Sequence, residues 1–227
     1  RDRIVSAIEE ATHASSIHNS QPWRFRIEEA NVIVQLDAAA TPRTVDPQGH
    51  WALASIGAAV ANLELALQAA FGVRVETDVR LGEEAPSGEL AGGAAFADYP
   101  LAVVSLTDTP LDAGEQQRVA RLSSVIRERF TTREPLRGGA PSAAEWAGVL
   151  DAVTTGTGEV EIVAADPELS GKLLALTAAA ESERQDDPDY LEEIEQWISN
   201  SGSVGIPSDS VGLPDAEGRV PTRDFTQ

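Results

Sequence analysis

Cysteine is absent from this chain. Disulfides, thiolate nucleophiles and cysteine-ligated metals are excluded with it. Histidine is scarce as well: His13, His18 and His50 are the whole supply. They form no HExxH and no pair four apart on a helix, so spacing offers no zinc site. No Gly-x-Gly-x-x-Gly and no P-loop occurs. Spacing alone does not argue for a Ser–His–Asp triad, and no carboxylate pair stands out among the 37 acids. Cations are few: 17 Lys plus Arg face 37 Asp plus Glu, a net charge of −20. Such a surface repels nucleic acid and anionic lipid, so neither is an expected partner. It does not exclude an anionic cofactor, because a few local arginines outweigh a distant field. No apolar run of membrane-spanning length is expected, and the first residues lack a signal-peptide core. Cytoplasm is the expected location.

What is present suits a folded domain. Hydrophobic residues make up 42% of 227 positions, enough for one sizeable domain or two small ones sharing a core. Residues 3–14 read as a helix with Ile4, Val5, Ile8 and Ala11 on one stripe. Pro22 blocks its continuation. Trp23, Phe25 and Ile27 alternate with polar residues, as do Val32, Val34 and Leu36, which predicts a hairpin over 23–37 turning near 29–31. Trp23 is expected in the core. Residues 50–71 are apolar or small on nearly every side, the pattern of a helix buried on most sides. Gly57, Ala58, Ala59 and Ala61 are expected to allow close backbone approach there, and Gly72 is a natural C-cap.

A strand is predicted at 73–81 and a central strand at 101–106, the latter from its continuous apolar character. A helix over about 114–130 carries Val119, Leu122, Val125 and Ile126. Ser142 with Glu145 three residues on forms a capping box before Trp146, Val149 and Leu150. A strand is expected at 159–163, then helices at 167–184 and 188–199. From Asn200 the chain is rich in Gly, Ser and Pro and cannot build a core alone. The mixture is α+β. A weak repeat is visible: an arginine-bearing segment precedes a short helix near the start and again at 127–153.

The stretch SSIHNSQPWRF, Ser15 to Phe25, resembles the flavin-contacting segment of the nitroreductase superfamily, roughly Pro-Ser-x-x-Asn-x-Gln-Pro-Trp. Ser16, Asn19, Gln21, Pro22 and Trp23 stand at the matching places, and Ser15 replaces the usual Pro. His18 before the Asn resembles a two-lobed branch common in actinobacteria, in which one chain imitates a dimer. The helix ending at Gly72 resembles the superfamily's central helix. RERFTTREPL, Arg127 to Leu136, resembles an Arg-x-Thr-Asn-Arg segment through Arg129, Thr131 and Arg133, with Thr132 where Asn is usual. WISNSGSVGIPSDSVGL resembles an excursion of that branch after a Trp-bearing helix.

The resemblance implies a nitroreductase-like fold: a central mixed or antiparallel sheet flanked by helices around a buried central helix, pseudo-dimeric and two-lobed. Residues 1–126 would form the first lobe, 127–198 the start of a second, and 199–227 a lid or linker. The remainder of the second lobe would lie in a missing C-terminal part of the same polypeptide, since the branch continues past the point matching Gln227. A homodimer is a further expected arrangement.

FMN is the implied cofactor, held by Ser16, His18, Asn19, Gln21, Arg129, Thr131 and Arg133. Arginine forks match a phosphate, and amides suit a ring edge that both donates and accepts. Arg1 and Arg3 are N-terminal counterparts of the arginine pair. Surface arginines and turn-capping Ser and Asn have ordinary roles too, and His18 is as readily a polar loop residue as a ring contact. The implied activity carries electrons from NAD(P)H through the flavin to a nitroaromatic, quinone or similar acceptor, with no catalytic side chain. The alternative is a non-catalytic flavin-binding, storage or sequestering protein with a lid over the flavin.

Overall fold

A computed structural model describes residues 1–81, 99–131, 141–154, 165–199 and 204–208. The chain divides into two compact units. One comprises Arg1–Thr132 with Asp189–Asp209, and the other Arg133–Pro188 with Ser210–Gln227. The expected strand at 159–163 and most of the tail after Asn200 lie outside the described residues.

The first unit holds a four-stranded antiparallel sheet of order β1-β2-β4-β3. Its strands are β1 (Trp23–Glu28), β2 (Asn31–Leu36), β3 (Val73–Val79) and β4 (Pro100–Pro110). The expected hairpin forms, pairing Trp23 with Leu36 and Glu28 with Asn31. Glu29 turns it with a φ of 54°. Trp23 is buried, as its place at the strand start predicts. β2 departs from simple alternation: Ile33 and Gln35 are buried together with Val32, Val34 and Leu36. β4 is central, as its apolar run predicts.

Helix α1 (Asp2–Ala11) buries Ile4, Ala7 and Ala11. Val5, expected in the stripe, is 42% exposed; the buried face follows the three- and four-residue spacing of 4, 7 and 11 instead. Helix α2 (His50–Phe71) has the predicted bounds and ends at Gly72, whose φ of 69° is the left-handed C-cap. Ala52, Ile56, Ala59, Leu63 and Leu67 bury against α1 and the sheet in one core with Val32, Val34, Leu36, Leu101 and Val104. At the other end Asp46 is buried, and its Oδ2 accepts the Ala52 N–H at 2.8 Å. That bond satisfies an orphan amide in the first turn and sets a carboxylate at the helix's positive end.

In length and composition α2 meets the requirements of a membrane span, contrary to the expectation that no such segment exists. Its packing in this core explains one face of the helix; Trp51, Ala54, Gly57 and Ala61 on the other face are exposed among the described residues, contrary to the expected burial on most sides. Gly57 also departs from expectation: a Cβ there would meet nothing within 4 Å among the described residues, so this glycine serves no close approach within the unit.

Helix α3 (Ala113–Ser123) opens on a capping box. The Asp112 carboxylate accepts the Glu115 N–H, and Glu115 accepts the Asp112 N–H. The Glu115 backbone bond is the main cause holding the Asp112 carboxyl below its usual range. The predicted helix over 114–130 stops early and continues as a short 3-10 turn, Ile126–Glu128. Val119 and Ile126 are buried, while Val125 is exposed. Helix α6 (Pro188–Trp197) buries Tyr190 and Ile194. Strands β5 (Ile198–Ser199) and β6 (Ile206–Pro207) follow as a parallel pair.

The second unit contains helices α4 (Ala143–Thr154) and α5 (Pro167–Gln185). The expected capping box opens α4: Glu145 accepts the Ser142 N–H at 2.7 Å, and Ser142 Oγ accepts the Glu145 N–H at 3.3 Å. The side-chain bond from Ser142 is the main cause of the lowered Glu145 pKa. α5 starts on Pro167 behind the capping Asp166.

The open space at Gly57 has a testable consequence. Gly57→Ala should raise stability by about 0.5–1 kcal/mol, because alanine loses less conformational entropy in a helix interior. Chemical denaturation measures it. A loss of stability would mean that another element packs on that point.

Candidate functional site

The most constrained backbone in the first unit lies where the polar segment leaves α1. His18, Asn19 and Gln21 have φ values of 49°, 53° and 52°, the left-handed region that side chains other than glycine rarely adopt. Each such residue costs on the order of 1–3 kcal/mol unless the surroundings hold it, and such strain clusters at ligand sites.

The surroundings do hold it. Ser55 Oγ on α2 accepts the Ile17 N–H at 3.2 Å and donates to the Trp51 carbonyl at 2.6 Å. Ser16 Oγ accepts the Gln21 N–H at 3.1 Å, which closes the loop on itself. Asn19 N–H and Ser20 N–H donate to the Ser16 and Ile17 carbonyls. Pro22 and Trp23 then lead into β1, and the Pro22 carbonyl accepts the Asp37 N–H at 2.9 Å. The Ser20 hydroxyl, 1% exposed, has no hydrogen-bond partner among the described residues.

The structure brings Ser16, His18, Asn19 and Gln21 together in this loop. It also brings Arg129 near the loop's start. Arg129 Nε donates to the His13 carbonyl at 3.0 Å, and Nη1 donates to Thr131 Oγ1 at 2.9 Å. Beside it Arg127 pairs with Glu10 of α1 at 2.8 Å. The His13 bond gives Arg129 a structural role too, satisfying a carbonyl just past the end of α1. Its remaining N–H donors have no partner among the described residues and can meet an anion. Arg133 lies outside the described residues.

Two of the candidate residues have partners within the chain. Asn19 was expected to offer its amide to a ligand, but its Nδ2 donates to the Gly205 carbonyl at 2.9 Å. Gly205 N–H donates back to the Asn19 carbonyl at 3.1 Å. Arg3, the expected counterpart of the arginine pair, donates to the Ala70 carbonyl at 3.3 Å and lies 5.7 Å from the Phe71 ring centroid. It sits at the C-terminal end of α2, where a cation complements the helix dipole.

An open groove of about 490 Å³ runs past Arg3, lined by Asp2, Ser6, Glu10, Ala66 and Ala70 among others. Among the described residues, Ser16, His18, Asn19, Gln21, Arg129 and Thr131 do not line it. Its floor is alanine and its rim serine and opposed charges, without the strained backbone of the 16–21 loop. The loop is therefore the better candidate despite the groove's size.

Sequence reasoning missed four residues here: Ser55, Asp46, Gly205 and Glu193. Ser55 and Asp46 carried a weak signal as polar residues in or before an otherwise apolar helix. The contacts of Gly205 and Glu193 span some 150 residues or more, and no local pattern announces them.

No protein-family model matches the chain. Two Mycobacterium tuberculosis H37Rv proteins are similar to it. One, named "Putative NAD(P)H nitroreductase acg", is 28% identical over 228 residues, covering 99% of this chain and 63% of the relative. The other, named "Uncharacterized protein Rv3127", is 28% identical over 235 residues, covering 98% of this chain and 61% of the relative. The chain thus spans less than two thirds of the length of these curated relatives. Homology along nearly the whole chain supports a nitroreductase-like family. The α+β architecture with its antiparallel sheet is compatible with that fold.

The Ser55 tether can be tested directly. Ser55→Ala leaves the Ile17 N–H without its acceptor and should cost about 1–3 kcal/mol of stability. Exchange protection should fall at Ile17 and Gln21 while the sheet amides keep theirs. Unchanged protection in the loop would show that Ser55 does not hold it.

Proposed function

We propose that this chain is the flavin-binding part of an oxidoreductase of the nitroreductase type. FMN is the cofactor, NAD(P)H the donor, and a nitroaromatic, quinone or similar compound the acceptor. One observation carries the reading: a strained loop rich in amides is held between α1 and α2 with Arg129 at its foot. The similarity to a protein named as an NAD(P)H nitroreductase agrees with it. Cytoplasm and a two-lobed, pseudo-dimeric whole belong to the same proposal.

The residues fit a flavin in part. Gln21 and Asn19 would meet the ring edge, with Ser16 and His18 beside the ring or ribityl chain. Ser16 accepts one bond within the loop and retains its hydroxyl proton for donation. The buried Ser20 hydroxyl is a further polar group without a partner in the described protein. Arg129, Thr131 and Arg133 would take the phosphate, Arg129 being fixed by its His13 bond. Asn19 would meet the ring either with its amide shared with Gly205 or after Gly205 leaves it. When bound, the flavin supplies hydride acceptance and electron transfer, so the protein need contribute only binding, orientation and exclusion of water. That agrees with a chain without cysteine.

The Asn19–Gly205 pair favours a second reading. Residues 189–199 and 204–208 form a strap that ends on the loop at Asn19, and access rather than flavin affinity separates an enzyme from a storage or sequestering protein. Two measurements address these readings. The full chain should bind FMN and turn yellow, and Arg133→Ala should weaken binding by about 1.5–3 kcal/mol. Colourless protein after reconstitution would defeat the flavin assignment, and unchanged affinity would return Arg133 to the surface. With the strap seated, NADPH should bleach the bound flavin slowly. Rapid bleaching would remove the case for sequestration.

A further inference from the structure

The Glu193 carboxylate, on α6, is held by three consecutive backbone amides. Oε1 accepts from Arg43 and from Thr44 at 3.1 Å, and Oε2 accepts from Thr44 at 2.9 Å and Val45 at 2.8 Å. Successive N–H groups converging on one point form a nest with the polarity of an anion site. Bonds to an ionised acceptor are the strong kind. The Arg43 side chain is exposed beside them and adds positive charge.

The same α6 runs into β5 and β6, and the residue before β6 is Gly205, which occupies both hydrogen-bonding groups of Asn19 named above. Glu193, β5, β6, the 43–45 amides and Asn19 all belong to the first unit, with β5 and β6 paired to each other.

We propose that the Arg43–Val45 amides are a binding site for a small oxyanion, phosphate or carboxylate, which Glu193 occupies in cis. An oxyanion that replaces Glu193 loosens the strap and removes the Gly205 bond from the Asn19 amide. By reciprocity, release of the strap raises the affinity of the nest for the oxyanion. A tethered carboxylate competes at a millimolar or higher effective concentration. The intact chain thus responds only to a concentrated or multiply charged ligand, whereas a chain lacking the carboxylate responds readily. The coupling to flavin rests on the assignment of Asn19 to the ring edge; the nest itself does not.

The test is an amide-resolved titration of the full chain, without flavin, at constant ionic strength. Inorganic phosphate and acetate are the two probes, applied to wild type, Glu193→Ala and Glu193→Gln. Glu193→Ala should show saturable shifts at Arg43, Thr44 and Val45, with half-saturation at least tenfold lower than in wild type. The probe that saturates first identifies the oxyanion class. Gly205 should lose exchange protection in both variants, and in wild type at saturating anion, while Val32 and Val104 keep theirs.

Silence at 43–45 in a folded variant would reduce Glu193 to a structural clamp. Equal half-saturation in wild type and variant would show that Glu193 does not compete, and unchanged Gly205 protection would break the coupling. Should Glu193→Ala fail to fold, Glu193→Gln keeps the side-chain shape without the charge, and the wild-type titration still reads Gly205. In a parallel arm FMN should associate faster with the variants. Nest shifts without any FMN binding would sink the flavin reading and leave the nest standing.

Discussion

The structure of the first unit depends on covering α2. Its buried set, Ala52, Ser55, Ile56, Ala59, Val60, Leu63, Ala66 and Leu67, repeats at three- and four-residue spacing and forms one broad stripe, while Trp51, Ala54, Gly57 and Ala61 on the other side are exposed. A stripe of that width is shared by α1 and the sheet. α1 supplies Ile4, Ala7 and Ala11, and the sheet supplies Val32, Val34, Leu36 and Val104. Full burial of each large aliphatic side chain contributes roughly 1.5–3 kcal/mol. Every other feature of the unit is referred to this helix, including the two buried polar groups at its N-terminal half, Asp46 and Ser55.

Those two groups turn packing into a site. Asp46 holds the first turn, so the position of Ser55 along the helix is set. Ser55 in turn holds Ile17, where the chain enters three left-handed residues within four positions. The strained loop persists because its hydrogen bonds and the rigid Pro22–Trp23 junction leave it little freedom. A loop of this kind holds its side chains in a fixed geometry, the preorganisation a binding site uses.

The acidic balance of the chain takes on a local meaning at Glu193. Across the surface, most acids contribute solubility and mutual repulsion. Glu193 differs because three amides replace the water it gives up. It seats α6 together with the buried Tyr190 and Ile194. The strap then ends on Asn19, one of the residues expected to meet the cofactor. Structure and candidate site are thus joined by a few polar fastenings, each between residues far apart in sequence.

Elements with a strong local period were legible from residues alone. The alternation of Trp23, Phe25 and Ile27, the apolar run from His50 to Phe71 closed by Gly72, and the Ser142–Glu145 box each settle their own backbone through short-range preference. The motif Ser16-x-x-Asn19-x-Gln21-Pro22-Trp23 likewise marked the segment that turned out to be strained. Tertiary structure alone decided the rest. Which face of α1 is buried, why Ile33 and Gln35 of β2 are buried, and why α3 stops at Ser123 depend on neighbours that the local pattern does not name. The partners of Asn19 and of the Arg43–Val45 amides lie roughly 150 residues or more away. A backbone N–H carries no side-chain identity, so no sequence pattern distinguishes an amide aimed at a carboxylate from one aimed at water; only the folded arrangement of α6 against the 43–45 turn makes that choice.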